Sequence, residues 1–121
     1  MSVERELFTP YGIRTLSPRH PAYCGRYVGG PDQRDASYHQ GTVWPWLIGP
    51  FVAARLKISA DPKHRERDLR RKLHRLFNDH ISEFGLGSIA EIFDGDVPHL
   101  PRGCFAQAWS VAEVLRARAI M

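Results

Sequence analysis

Residues 38–58 read YHQGTVWPWLIGPFVAARLKI, and the fold turns on the second half of this stretch. From Trp46 to Ile58 the run WLIGPFVAARLKI is apolar on nearly every side of a helix, so it predicts a helix with neighbours on more than one side. Pro45 suits a first helical turn, and Thr42 offers a capping hydroxyl just upstream. Gly49 and Pro50 interrupt the run and predict a kink or a late start. The first half has another character. Two of the chain's three tryptophans, Trp44 and Trp46, share a polar, Gly-containing bend with Tyr38, His39 and Gln40. Either these rings pack a helix entrance, or they form a platform for a flat, hydroxyl-rich ligand such as a sugar.

Towards the C-terminus, Leu69, Leu73, Leu76 and Phe77 recur at helical spacing and predict a second helix from Lys63 to about Phe84, stopped by Gly85. A third helix is expected over Gly103 to Arg118. Phe105, Ala108, Trp109, Ala112 and Leu115 form one stripe, and Val111 and Val114 widen it. Between these helices, Ser88–Phe93 reads as a short strand and Asp94–Arg102 as loop. Towards the N-terminus, residues 1–40 carry many breakers, among them Pro10, Gly12, Pro18, Pro21, Gly25, Gly29 and Pro31. So long a stretch without pattern normally lies across a larger scaffold. The expected organisation is one partial, mainly α domain over 1–121. It has an irregular arm at 1–40, a helical part at 41–121 and a short strand or loop near 88–93. Helices with such wide apolar faces do not close a core by themselves.

The 121 residues suffice for one domain, and 43% hydrophobic with 25% charged residues is the composition of a soluble globule. No apolar run approaches the about 20 residues that cross a bilayer, and the acidic N-terminus is unlike a signal peptide. Cys24 and Cys104 form no metal-binding or CxxC pattern, so a reducing, cytoplasmic setting is expected. The net charge of +4 raises the question of nucleic acid. Its main source, KHRERDLRRKLHR at 63–75, is interrupted by Glu66 and Asp68 and has no interleaved stacking aromatics. It reads as the solvated face of a helix.

Site chemistry is sparse. The six histidines show no metal-binding spacing, and no P-loop, GxGxxG or GxSxG occurs. No metal or cofactor is expected. FDGD at 93–96 is a turn signal, and Cys104 reads as a small core residue. Glu91 stands out, because in SIAEIF it has apolar neighbours on both strand faces and a carboxylate leaving water needs partners. It reads either as an edge residue in solvent or as a carboxylate on a cleft floor, placed to activate water. Around it stand Tyr38, His39, Gln40, Trp44, Trp46, Gln107 and Trp109. Rings stack on sugar C–H faces, while amides and imidazole bond hydroxyls. Trp109 reads as core, and Trp44 and Trp46 equally as core or platform.

Three segments, YHQGTVWPWLIGPF, GSIAEIFDGD and PRGCFAQAWSVAEVLR, resemble the C-terminal part of the glycogen debranching enzyme family, the amylo-α-1,6-glucosidase domain. LFTPYGIRTLSP and YCGRYVGG extend the likeness over roughly Leu7 to Arg116. The resemblance implies the C-terminal fragment of an (α/α)6 toroid, related to the glucoamylases, and inverting hydrolysis of α-1,6-linked glucose. It maps the general base onto Glu91 and puts the general acid in a segment upstream of these residues. Inversion separates the two carboxyls by ~6.5–9.5 Å to admit a water. Tyr38, His39, Gln40, Trp44, Trp46 and Gln107 would line or brace the sugar pocket, with Asp94 and Arg102 orienting Glu91 or meeting hydroxyls. The implied partners are a glycogen-like α-glucan or oligosaccharide and a complementary upstream barrel chain. The apolar helix faces further predict a homo-oligomer, most simply a twofold dimer. The chain alone is expected to be inactive. The competing expectation is a non-catalytic helical module, derived from that fold, for carbohydrate binding or oligomerisation.

Overall fold

The computed structural model describes residues 2–121. Five helices and five short strands follow one another in the order α1 (Ser2–Glu6), β1 (Phe8–Thr9), β2 (Gly12–Arg14), α2 (Pro31–Ser37), β3 (Val43–Trp44), α3 (Ile48–Lys57), α4 (Pro62–Lys72), β4 (Ile92–Phe93), β5 (Pro101–Arg102) and α5 (Ala108–Ile120). A 3-10 turn at Pro45–Leu47 leads into α3, while a π turn at Arg75–Asp79 and a 3-10 turn at His80–Ser82 follow α4.

The architecture corrects the expected one. The strands form a five-stranded antiparallel sheet in the order β1-β2-β3-β4-β5, so the chain is mixed α/β and not a mainly helical fragment of an (α/α)6 toroid. The 1–40 segment, expected to be irregular, supplies two of these strands and two short helices. Its Gly12 lets β1 return as β2: at φ +153° a Cβ there would lie 2.7 Å from the Trp44 carbonyl oxygen on the neighbouring strand. The register runs through distant residues, with Ile13 opposite Trp44, Arg14 opposite Val43, Val43 opposite Phe93 and Phe93 opposite Pro101. The expected 94–102 loop thus ends in β5, and the 88–93 strand shortens to Ile92–Phe93.

The sheet supplies the core that helices alone did not close. Ile13, Val43 and Phe93 join Ile48, Phe51 and Val52 of α3, Leu69 of α4 and Val114 and Ala117 of α5 in one buried cluster. Leu73, Leu76 and Phe77, read as a helical stripe, are buried in that cluster too. The α-helix itself stops at Lys72, and the chain reaches Ser82 through the π and 3-10 turns. In α3, Pro50 falls in the first turn, where no intrahelical donor is lost. Gly49 lets α5 approach α3: a Cβ there would collide with the Glu113 carboxylate. The α5 helix starts at Ala108, five residues later than its apolar pattern suggested.

Charge closes the outer layer. Glu4 of α1 meets Arg55 of α3 at 2.7 Å and Lys72 of α4 at 2.9 Å. Its carboxyl is held below the usual carboxylate range, first by the Lys72 hydrogen bond. Lys72 also bonds Asp68 at 2.8 Å. Part of the basic run is therefore neutralised within the fold. Among the described residues no helix is long and apolar enough to cross a membrane.

Candidate functional site

The site gathers where β3, β4 and β5 lie side by side. Tyr38 belongs to the bend before β3, and two donors hold its carbonyl. Thr42 Oγ1 donates to it at 2.6 Å and the Trp44 indole N–H at 3.1 Å. Gly41, at φ +137°, brings this bend against Tyr23, whose ring a Cβ would meet at 2.6 Å. The bend folds back, and the Tyr38 hydroxyl donates to Glu91 Oε1. The second carboxylate oxygen, Oε2, accepts the Cys104 backbone N–H at 2.9 Å, while the Glu91 N–H donates to the Cys104 carbonyl at 2.9 Å.

This contact depends on Gly103. Its φ is +67°, and a Cβ would lie 2.5 Å from Glu91 Oε2. Glu91 is half-buried, just before β4. An ionised carboxylate only accepts, and here both oxygens meet donors while each retains a lone pair for water or a sugar hydroxyl. Tyr38 stays a donor. Its pKa is pushed well above the usual tyrosine value, first by burial and then by the bond to Glu91 and its charge.

Aromatic rings extend from this carboxylate. Tyr38 meets Trp44 edge-on, with centroids 4.8 Å apart, and His39 stacks on Trp44 at 5.0 Å and 11°. Trp109 stacks on Trp46 at 5.6 Å and meets Trp44 edge-on at 6.1 Å. Trp44 is buried at 3% exposure, and Trp46 is half-buried. Trp109, read from the sequence as core, is 50% exposed because it sits in the first turn of α5, at the rim of the ring cluster. Cys104, also read as core, is exposed.

The remaining sequence candidates separate from Glu91. Asp94 is buried and binds Arg102 through Nε and Nη2, at 3.1 and 3.0 Å to one oxygen, and the Tyr27 N–H at 2.9 Å to the other. Arg102 thus aims its guanidinium at Asp94. Tyr27 links the two groups, since its ring lies 5.6 Å from that of Tyr38. Gln107 donates its N–H to the Ile89 carbonyl, and its side-chain oxygen accepts the Ala108 N–H at the start of α5. His39 and Gln40 are exposed. The Gln40 carbonyl accepts the Cys24 N–H at 2.6 Å.

Sequence reasoning passed over Gly103, the Cys104 N–H, Tyr27 and His80. A left-handed glycine directly after PR was the one signal that could have marked the Glu91 contact. Backbone donors carry none. Among the described residues, no group of three or more His, Cys, Asp or Glu could hold a metal ion.

Comparison with known proteins gives this geometry a context. Residues 1–116 match the family described as amylo-alpha-1,6-glucosidase. A stretch of 51 residues is 41% identical to the glycogen debranching enzyme of Saccharomyces cerevisiae, covering 37% of this chain and 3% of the yeast protein's length.

Proposed function

The chain belongs to the amylo-alpha-1,6-glucosidase family, and from that premise we propose that it carries the general-base side of an inverting α-1,6-glucosidase site. Glu91 is the base. Its carboxylate takes a proton from a water that attacks the anomeric carbon, and an acid on the opposite side of the sugar protonates the departing oxygen. The observation that carries this reading is the convergence of the Tyr38 hydroxyl and the Cys104 N–H on the two oxygens of a half-buried Glu91, beside a wall of aromatic rings. Two donors fix the carboxylate's direction and leave its free lone pairs for water.

The acid is supplied by a part of the family's architecture outside these 121 residues. Asp94 is unsuited to the role, because its two oxygens are engaged by the Tyr27 N–H and the Arg102 guanidinium. Without that acid the chain alone is inactive. The substrate is a branched α-glucan or an oligosaccharide cut from one. Its sugar faces stack on Trp109 and Trp46, and its hydroxyls meet His39, Gln40 and the outer edge of Tyr38. Away from Trp109, Leu115 at 61% exposure lines an apolar groove with Ile81 and Val111, and a second copy of the chain covers it.

The test is a titration of the isotope-labelled chain with an α-1,6-branched glucose oligosaccharide, followed by amide and indole shifts. Shifts should cluster at Tyr38, His39, Glu91, Cys104 and Trp109. Shifts confined to the basic face of α4 would overturn the assignment.

A further inference from the structure

His80 is fully buried, and the proposed reaction does not use it. Its imidazole Nε2 accepts the backbone N–H of Ala90 at 3.1 Å. Ala90 is also fully buried and directly precedes Glu91. The other ring nitrogen, Nδ1, has no hydrogen-bond partner. Since Nε2 accepts, the ring proton sits on Nδ1, so an N–H donor is left unsatisfied in the interior. Three aromatic side chains surround the ring. Phe93 meets it edge-on at 4.7 Å between centroids, with Phe84 at 6.2 Å and Tyr11 at 6.4 Å.

A phenyl ring would fill this space without leaving a donor unmet. What it lacks is an acceptor for the Ala90 N–H. An unsatisfied buried polar group is uncommon and calls for a compensating role. That role is visible in the next residues. Ile89 is held by the Gln107 N–H on its carbonyl, Ala90 by His80, and Glu91 by its N–H on the Cys104 carbonyl. Of these three ties, the one through a side chain is His80, and it crosses from the turn after α4 to the approach to β4.

We propose that His80 is a positioning residue for Glu91: its unprotonated Nε2 holds the Ala90 N–H and so sets the backbone from which the Glu91 carboxylate reaches Tyr38 and Cys104. The inference deepens the reading of Glu91 as general base and rests on it for its catalytic consequence. Its geometric content stands apart from turnover. Burial lowers the pKa of His80 below the usual 6.5, which keeps the ring neutral and Nε2 free to accept near neutral pH.

Imidazole nitrogen NMR of the wild-type chain tests the premise. Nε2 should show the shift of a bare, hydrogen-bonded acceptor and Nδ1 that of a protonated nitrogen; a proton on Nε2 overturns the proposal. Two substitutions then test the consequence. In His80→Gln the side-chain oxygen sits at about the reach of Nε2, whereas in His80→Asn it stops one bond short. The Gln variant should keep the wild-type Cys104 amide shift and the late titration of Tyr38. The Asn variant should move the Cys104 amide and bring Tyr38 down towards the ordinary value of 10. A folded Asn variant with both signals unchanged also overturns it. In an active assembly, the Asn variant should lower kcat by about 10- to 100-fold with little change in KM, and Gln should restore most of it. Turnover indifferent to Glu91→Gln, with these spectral responses intact, would remove the catalytic reading and support the positional one.

Discussion

A Cβ placed on Gly103 would stand 2.5 Å from Glu91 Oε2, so glycine at one position is what allows the carboxylate to occupy its place at another. The left-handed backbone at φ +67° turns the chain so that the next N–H, that of Cys104, donates to the same oxygen. Gly103→Ala should therefore act twice. The backbone penalty for a side chain in this region is about 1–2 kcal/mol, and the methyl group pushes the carboxylate away from the Cys104 N–H. Urea unfolding should show a loss of that size, and the Cys104 amide resonance should shift. A variant as stable as the parent, with that resonance unmoved, would mean that the turn relaxes freely and does not hold Glu91.

Acid should weaken the fold in two separate windows. His80 and His99 are buried, and burial lowers both pKa values from 6.5. Each therefore binds fewer protons folded than unfolded. Their contribution is complete above about pH 6.5 and is lost as pH falls from there through the folded values. The carboxyls of Glu4 and Asp68 are likewise held below 4.5 and 3.8, first by Lys72, so their contribution is lost only in more acid solution. The urea midpoint should fall between pH 7.5 and pH 5, before those carboxylates titrate. His80→Gln should reduce that fall. A midpoint that is flat or rising over this interval would show that neither imidazole is neutral because of its burial.

The open side of α5 predicts self-association. Leu115 is exposed and lines an apolar groove with Ile81, Ile89 and Val111, on a side of the helix away from the Trp109 ring. Contiguous apolar patches of more than a few hundred Å² are rare on monomers. Sedimentation equilibrium at micromolar concentration should give twice 13.8 kDa, and Leu115→Arg should return the chain to monomer. A wild-type monomer would leave that side of α5 open to another partner or to solvent.

How much of this was written in local sequence depends on the range of the interactions. The stripe of Leu69, Leu73, Leu76 and Phe77 was legible because helical spacing lies within one window, and all four are buried. The sheet was not. Its strands are two or three residues long, too short to show alternation, and its pairings join Arg14 to Val43 and Val43 to Phe93. The Pro and Gly residues of 1–40, read as signs of an irregular arm, also mark turns between such strands. Glu91 and Tyr38 were legible as candidates from a carboxylate among apolar neighbours and a ring-rich bend. Their mutual contact was not, since it rests on Gly103, a backbone N–H and a lone buried histidine.

The central claim is that Glu91 is the base, and glucose release from an α-1,6-branched dextrin tests it most directly. The chain is combined with the proton-donor part of an amylo-α-1,6-glucosidase relative, and association is checked by sedimentation. The account predicts no release by the chain alone, release by the associated pair with β-glucose as the first product, and a drop of about 10²-fold or more on Glu91→Gln. Release at an undiminished rate by the associated Glu91→Gln pair, or by the unaccompanied chain, would contradict it.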